Sequence, residues 1–221
     1  MVEAQCELDP TQFASHFPVL PSEAADGLIV AENGAFLMCD KERKLACIPS
    51  AKLANWGYVA GINYSTEKIQ NQFTPGRRNF CMVAGEYLPR IGFVEPGMRI
   101  CTNSVVWDDA ASWIANSGVT ITDKADSKQF YDAVKAYLAK VRSVDAGRGS
   151  QAGANLAPIY AVLLDDADYP QDKSVVNRGK LVIGADPADA IGGIYAIVTE
   201  AYTNADTTLS FKLKFVNKPT A

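Results

Sequence analysis

The residues able to perform acid–base or nucleophilic chemistry are few and scattered. His16 is the single histidine, so a Ser-His-Asp or Cys-His site would have to use it, and it lies in a proline-broken segment with no partner nearby in the sequence. A zinc site needs about four ligands at compact spacing. One histidine and five scattered cysteines do not supply them. We therefore predict no catalytic, metal-binding or cofactor-binding residues, no cofactor and no enzyme activity.

Two cysteines flank a charged patch in the stretch AFLMCDKERKLACI, residues 35–48. If a hairpin turn centres on Arg43, Cys39 and Cys47 lie opposite each other and could approach disulfide distance. If the turn centres between Glu42 and Arg43, Cys39 faces Ala46, because a one-residue slip moves side chains to the other face of the sheet. The favoured interpretation is that both cysteines are small, buried apolar residues in a hairpin.

An acidic cluster offers oxygen ligands for a cation. It comprises Asp165, Asp166 and Asp168, with Asp172 close by. The spaced Asp-x-Asp-x-Asp-Gly loop with a distant glutamate is absent, so a solvated turn is favoured over a calcium site.

Composition narrows the class of protein. The net charge of −4 argues against a dedicated nucleic-acid binder, and the longest basic cluster, Arg77-Arg78, is too short for a phosphate-binding patch. No stretch approaches the roughly 18 apolar residues of a membrane span, and the N-terminus does not resemble a signal peptide. The odd number of cysteines fits a reducing compartment. We expect a protein made in the cytoplasm that contacts neither nucleic acid nor membrane.

The first half of the chain divides into an arm and a β-rich region. Residues 1–26 are broken by prolines and are expected to be an extended, irregular arm, in which Phe13 and Phe17 offer apolar anchors. The arm could pack on its own domain or on a neighbouring subunit. Residues 27–118 contain closely spaced strand-like runs punctuated by glycine and proline, and Asn33-Gly34 suits a tight hairpin turn.

The period of the apolar residues changes at residues 119–145, which predicts a helix near 123–143. Its apolar face consists of Phe130, Val134, Tyr137, Leu138 and Val141. Asp126 is placed to cap the helix, with Gln129 in the capping-box position. Residues 107–114 are expected to form a shorter helix before it.

Residues 146–221 return to strand patterns after a glycine-rich loop. In the last of them, Leu209, Phe211, Leu213 and Phe215 alternate with polar residues. The fold class is therefore mainly β (α+β), with barrel- or sandwich-like strands and one amphipathic helix. This second β-rich region either forms one domain with residues 27–118 or stands as a second lobe.

Residues 27–107 resemble a known family of viral proteins. The stretch GLIVAENGAFLMCDKERKLACIPSAKLANWGYVAGIN, followed by GEYLPRIGFVEPGMRICTN, is similar in style to the small β-barrels of tailed-bacteriophage capsid decoration (cement) proteins. The resemblance implies a non-enzymatic virion protein on the capsid surface. Such a protein stabilises the shell by binding the major capsid protein and copies of itself, often as a trimer. The arm would then clamp a neighbour.

The candidate partner contacts are Phe13, Phe17, Arg77, Arg78, Trp107 and Trp113. For the two tryptophans, core packing is the alternative to an intersubunit anchor.

Three other functions stay open. A phage tail-tube or adaptor subunit would show long hairpin strands and ring oligomers. A β-type ligand- or carbohydrate-binding module would expose Trp56, Tyr58 and Tyr64 together as a shelf. An enzyme would need a deep pocket that collects Asp165, Asp166 or His16 with basic partners.

Overall fold

The computed structural model describes residues 5–6, 13–18, 29–32, 35–40, 42, 45–47, 49–63, 81–83, 87–102, 105–108, 111–123, 126–145, 156–165, 168, 179–203 and 209–216. The strands are β1 (Gln5–Cys6), β2 (Phe13–Pro18), β3 (Ile29–Glu32), β4 (Phe36–Asp40), β5 (Leu45–Cys47), β6 (Val59–Asn63), β7 (Cys81–Val83), β8 (Tyr87–Phe93), β9 (Arg99–Thr102), β10 (Val105–Trp107), β11 (Tyr160–Leu163), β12 (Leu181–Ile183), β13 (Tyr195–Thr203) and β14 (Leu209–Phe215). The helices are α1 (Ala51–Asn55), α2 (Ser112–Ser117) and α3 (Ser127–Asp145).

The predicted fold class, mainly β with one long helix, is confirmed. One sheet is curled like half a barrel. The largest sheet has seven strands in the order β1-β9-β14-β13-β11-β12-β10, and all neighbours are antiparallel except β10 and β12. The sheet takes β9 and β10 from the first β-rich region, and the four strands between them, β14, β13, β11 and β12, from the second. The two regions therefore share one sheet rather than forming separate sheets.

Two smaller sheets complete the β structure. One has five strands in the order β2-β8-β6-β4-β5, and β3 pairs with β7 in the other. The expected irregularity of the arm is wrong for residues 5–6 and 13–18, which form β1 and β2. Pro18 is the last residue of β2 and is paired with Tyr87, so it ends the strand instead of interrupting its pairing with β8.

The hairpin expected at Asn33-Gly34 is not formed by the strands on either side of it. β3 pairs with β7, whereas β4 pairs with β5 and β6. Asn33 and Gly34 themselves lie outside the described residues. The Asn33-Gly34 dipeptide therefore did not determine which strands pair, because β3 and β4 each pair with other strands instead of with each other.

A shared core joins the five-stranded sheet to the seven-stranded sheet. The rings of Phe36 on β4 and Phe215 on β14 meet edge to face, with centroids 5.9 Å apart. The Phe36 amide donates to the carbonyl of Gly179 at 2.7 Å. The predicted alternation along β14 is confirmed from Phe211 to Phe215, where Phe211, Leu213 and Phe215 are buried and the lysines between them are half-buried. At the start of the strand it fails, because Ser210 is buried and Leu209 is half-buried.

The predicted helix is confirmed as α3, which buries Phe130, Val134 and Tyr137. Asp126 caps its start by accepting hydrogen bonds from the amides of Lys128 (2.8 Å) and Gln129 (3.3 Å). The side chain of Gln129 does not close a capping box. Its Oε1 accepts from the Thr122 amide at 2.8 Å, so it fixes the chain that leads into the helix.

The shorter helix starts later than expected. Residues up to Trp107 belong to β10, and α2 spans Ser112–Ser117, ending at Gly118 with a φ of 78° in the left-handed region. Within the described part of the chain, no helix has the length and apolar character needed to span a membrane.

Candidate interaction surfaces

The structure describes only part of the predicted partner contacts. The backbones of Phe13 and Phe17 lie in β2 and pair with Gly92 and Leu88 of β8. Nothing beyond the backbone is described for these two phenylalanines. Arg77-Arg78 lies outside the described residues, so the role of all four as partner contacts stays a prediction.

The two predicted tryptophan contacts belong to an aromatic cluster beneath α3. Trp107 stacks on Phe130 with ring centroids 4.8 Å apart, and Trp113 meets Phe130 edge to face at 5.6 Å. Trp113 is 7% exposed, so core packing, the alternative left open above, describes this residue. Trp107 is half-buried and keeps some surface. A partner contact at Trp107 stays a prediction.

Trp113 packs tightly against a chain reversal after β12. Gly184 has a φ of +98°, and a Cβ atom at this position would lie 2.9 Å from the indole Nε1 of Trp113 and 2.8 Å from the Cβ of Ala111. The indole N–H has no acceptor in the described part of the structure. The backbone at Gly184 therefore packs against the indole of Trp113 without forming a hydrogen bond to it.

The register of the β4–β5 hairpin decides between the two cysteine arrangements. Cys39 pairs with Ala46, and Cys47 pairs with Met38. Cys39 is a buried thiol whose Sγ donates to the Leu37 carbonyl at 3.8 Å. Cys39 therefore faces Ala46 and not Cys47. The interpretation of Cys39 as a small buried residue is confirmed.

Asp165 has a structural role. Its Oδ2 accepts a hydrogen bond from the amide of Ala51 at 2.8 Å, which holds the start of α1 against the end of β11. Among the described residues, no group of three or more histidine, cysteine or acidic side chains is arranged to hold a metal ion. Asp166 and Asp172 lie outside the described residues.

A large apolar side chain is exposed directly after α1. Trp56 is 77% exposed and Val59, at the start of β6, is 37% exposed. Trp56, Gly57 and Val59 are here called the Trp56 corner. Of the described large apolar residues, Trp56 and Val59 are the exposed ones.

The backbone of the Trp56 corner is held by hydrogen bonds. The Trp56 amide donates to the Leu53 carbonyl at 3.0 Å, and the Gly57 amide donates to the Ala54 carbonyl at 3.1 Å. Gly57 has a φ of +84°, which turns the chain into β6. Trp56 therefore projects from a fixed turn, and its backbone needs no ordering before it meets a partner.

The predicted carbohydrate shelf is only partly present. Trp56 is exposed, whereas Tyr58 is half-buried and packs against the core. Tyr64 lies outside the described residues. The described residues around Trp56 therefore do not form a flat platform of three aromatic rings.

A second surface feature is a groove of about 500 Å³ between α3 and β13. Tyr131, Lys135, Leu138, Ala139 and Arg142 line it from the helix, and residues 200–203 line it from the strand. At one end the guanidinium of Arg142 donates to the Thr199 carbonyl at 3.0 Å. At the other end the hydroxyls of Tyr131 and Thr203 lie 3.4 Å apart. We call this the α3–β13 groove.

Charged groups crowd the β13 side of the groove. Lys212 Nζ forms an ion pair with Glu200 at 2.7 Å and lies 5.1 Å from the centroid of the Tyr202 ring. The hydrogen bond with Glu200 is the main cause that raises the pKa of Lys212, while nearby Arg142 acts in the opposite direction. Burial, followed by a hydrogen bond with Cys101, raises the pKa of Tyr202 to about 12. Lys212 therefore keeps its charge, and Tyr202 its proton, throughout the physiological range.

No family model, curated protein or solved structure matches the chain. Sequence reasoning left Trp56 out of the partner contacts, although a tryptophan followed by Gly57 at the end of a five-residue helix was a usable signal. It missed the α3–β13 groove because the groove depends on where strand pairing stops, which no local pattern encodes.

Proposed function

We propose that this chain is a non-enzymatic structural protein of a tailed-phage virion that decorates and stabilises the capsid. In this proposal it binds the major capsid protein and further copies of itself on the capsid surface, and the Trp56 corner is its principal contact. The observation that carries the proposal is the 77% exposure of Trp56 on a hydrogen-bonded turn. The resemblance of residues 27–107 to decoration proteins supplies the partner.

The energetics of assembly suit such a contact. Tryptophan is among the residues most enriched at the positions that dominate protein–protein binding energy. A side chain fixed by its backbone loses little conformational entropy when it binds. On a shell, the same modest contact is repeated many times, so linked copies gain avidity without a large single interface. In this proposal, repetition on the shell therefore strengthens the contact that each Trp56 makes.

The proposal is tested by co-sedimentation with shells assembled from the major capsid protein encoded in the same genome. We expect the unaltered protein to sediment with the shells and Trp56→Ala to need roughly 30-fold more protein for half-saturation, as for loss of an interface residue that contributes about 2 kcal/mol. Lys52→Ala is the matched control, since Lys52 is exposed on α1 beside the corner, and it should change half-saturation by less than about threefold.

Two results would contradict the proposal. One is sedimentation of Trp56→Ala with shells at the same half-saturation as the unaltered protein. The other is binding of the protein to isolated tails and not to shells, which would favour the tail-tube or adaptor alternative. Light scattering on the two variants in solution reports separately whether Trp56 also joins copies of this chain.

A further inference from the structure

The α3–β13 groove runs along the edge of β13 and not across one face of the sheet. Glu200 and Tyr202 pair with Lys212 and Ser210 on β14, and Ala201 and Thr203 pair with Phe211 and Leu209. Successive side chains on a strand point to opposite faces. A groove that touches all four residues from 200 to 203 therefore lies beside the strand, where both faces are accessible.

Within the described part of the chain this edge has no pairing strand, because β11 stops pairing before β13 ends. The last bond from β11 to β13 runs from the Val198 amide to the Ile159 carbonyl at 2.9 Å. Pro158 comes next on the β11 side and has no amide to donate. A bulge at Thr199 then shifts the register of β13. Among the described strands, none pairs with residues 199–203 on the side away from β14.

The charge along the groove is unbalanced. Glu200 is already paired with Lys212. Lys135 lies 5.9 Å from the centroid of the Tyr131 ring, and Arg142 bonds to a backbone carbonyl. Neither cation forms an ion pair with a carboxylate among the described residues. Among the described residues, two positive side chains on α3 therefore face the edge of β13 without an ion pair, while the carboxylate of Glu200 is occupied by Lys212.

We propose that the α3–β13 groove binds an extended acidic peptide segment of a partner protein, which adds to β13 as a further strand. The backbone of β13 supplies hydrogen bonds along residues 200–203, and Lys135 and Arg142 receive carboxylates on alternate residues of the peptide. Residues 199–203 span about 13 Å at the usual rise of a strand, which is room for about four peptide residues. The groove shares no residue with the Trp56 corner, so this inference does not depend on the capsid proposal.

The test uses the full chain and a labelled hexapeptide that alternates glutamate with valine. We expect saturable binding by fluorescence anisotropy and slower amide hydrogen exchange at residues 200–203 when the peptide is bound. Lys135→Glu and Arg142→Glu should each raise the dissociation constant at least tenfold. Lys128→Glu is the matched control, because it makes the same charge change on α3 outside the groove, and it should alter the constant less than twofold.

A second peptide separates strand addition from charge attraction alone. A hexapeptide that alternates glutamate with proline keeps the charge but lacks half of the amide donors that a strand needs. We expect it to bind at least tenfold more weakly. Equal binding of the two peptides, unchanged exchange at residues 200–203, or binding to Lys135→Glu as tight as to the unaltered protein would each overturn the proposal. Arg142→Glu also removes the hydrogen bond to the Thr199 carbonyl and could unfold the protein. In that case Lys135→Glu, which leaves this bond intact, still decides the test.

Discussion

Two tryptophans of this chain belong to short helical regions but differ in burial: Trp113 lies within α2, whereas Trp56 directly follows α1. Trp113 lies in the aromatic cluster beneath α3, between Phe130 and Tyr137, and is 7% exposed. Trp56 projects from the turn after α1 and is 77% exposed. A glycine with positive φ accompanies each of them: Gly184 lies against Trp113, and Gly57 follows Trp56 in open space.

The difference separates two roles of the same residue type. In the aromatic cluster the indole of Trp113 fills volume between α3 and the sheet, so the burial of its apolar area stabilises the folded protein. In the Trp56 corner the backbone is fixed but the ring touches little of its own chain, so its apolar area is available to a partner. Substitutions in the two regions should therefore act on different quantities, stability in one and binding in the other.

The largest effect is expected for Phe130→Ala. Its ring contacts Trp107, Trp113 and Phe211 at centroid distances of 4.8, 5.6 and 6.1 Å, so truncation leaves a cavity at the centre of the aromatic cluster. We expect the free energy of unfolding, measured by urea titration, to fall by about 3–5 kcal/mol. Trp56→Ala should change it by no more than about 0.5 kcal/mol. Similar losses in both variants would mean that the Trp56 corner is part of the core.

How far the sequence predicted these regions depends on whether the signal is local. The 3.6-residue period located α3 and its buried face, and Asp126 located its start, because both signals lie within the helix. The alternation along β14 was readable for the same reason. By contrast, the local sequence does not reveal that residues 13–18 form a strand, because their partners on β8 lie 69 to 79 residues away in the chain.

The burial of Trp113 and the exposure of Trp56 could not be predicted from the residues next to them in the sequence. Trp113 is buried because Gly184, far along the chain, lets the backbone after β12 approach the indole. Trp56 is exposed directly after α1, a helix of five residues none of which is buried. The α3–β13 groove likewise depends on the end of β11 pairing at Ile159 and on the bulge at Thr199. The burial of Trp113 and the position of the groove both depend on contacts between segments that lie far apart in the sequence.

A smaller effect separates the two glycines. In Gly184→Ala the new methyl group would lie under 3.0 Å from Ala111 and from the rigid indole of Trp113, in a backbone conformation that already disfavours a side chain. We expect a loss of about 2–3 kcal/mol in the free energy of unfolding. Gly57→Ala meets nothing within 4 Å, so only the conformational strain of about 1–2 kcal/mol applies. An equal loss at both positions would show that the close packing at Trp113 relaxes without penalty.

The smallest effect concerns the response of the aromatic cluster to pH. The Tyr137 hydroxyl donates to the Ala157 carbonyl at 2.7 Å, and burial raises the pKa of Tyr137 above its usual value of about 10. The folded protein therefore keeps this proton at pH values where the unfolded chain has lost it. Stability from this group is present below about pH 10 and falls as the pH rises further.

In Tyr137→Phe that dependence is absent. We expect the variant to be about 1 kcal/mol less stable than the unaltered protein at pH 8, where the hydrogen bond is intact. The difference should narrow between pH 10 and 11, since only the protein with Tyr137 carries this titration. Urea titrations at pH 8, 9, 10 and 11 measure the gap, with Trp56→Ala expected to run parallel to the unaltered protein throughout. A gap that stays constant up to pH 11 would mean that the Tyr137 hydroxyl reaches solvent, and that the aromatic cluster is less closed than the burial of Trp113 implies.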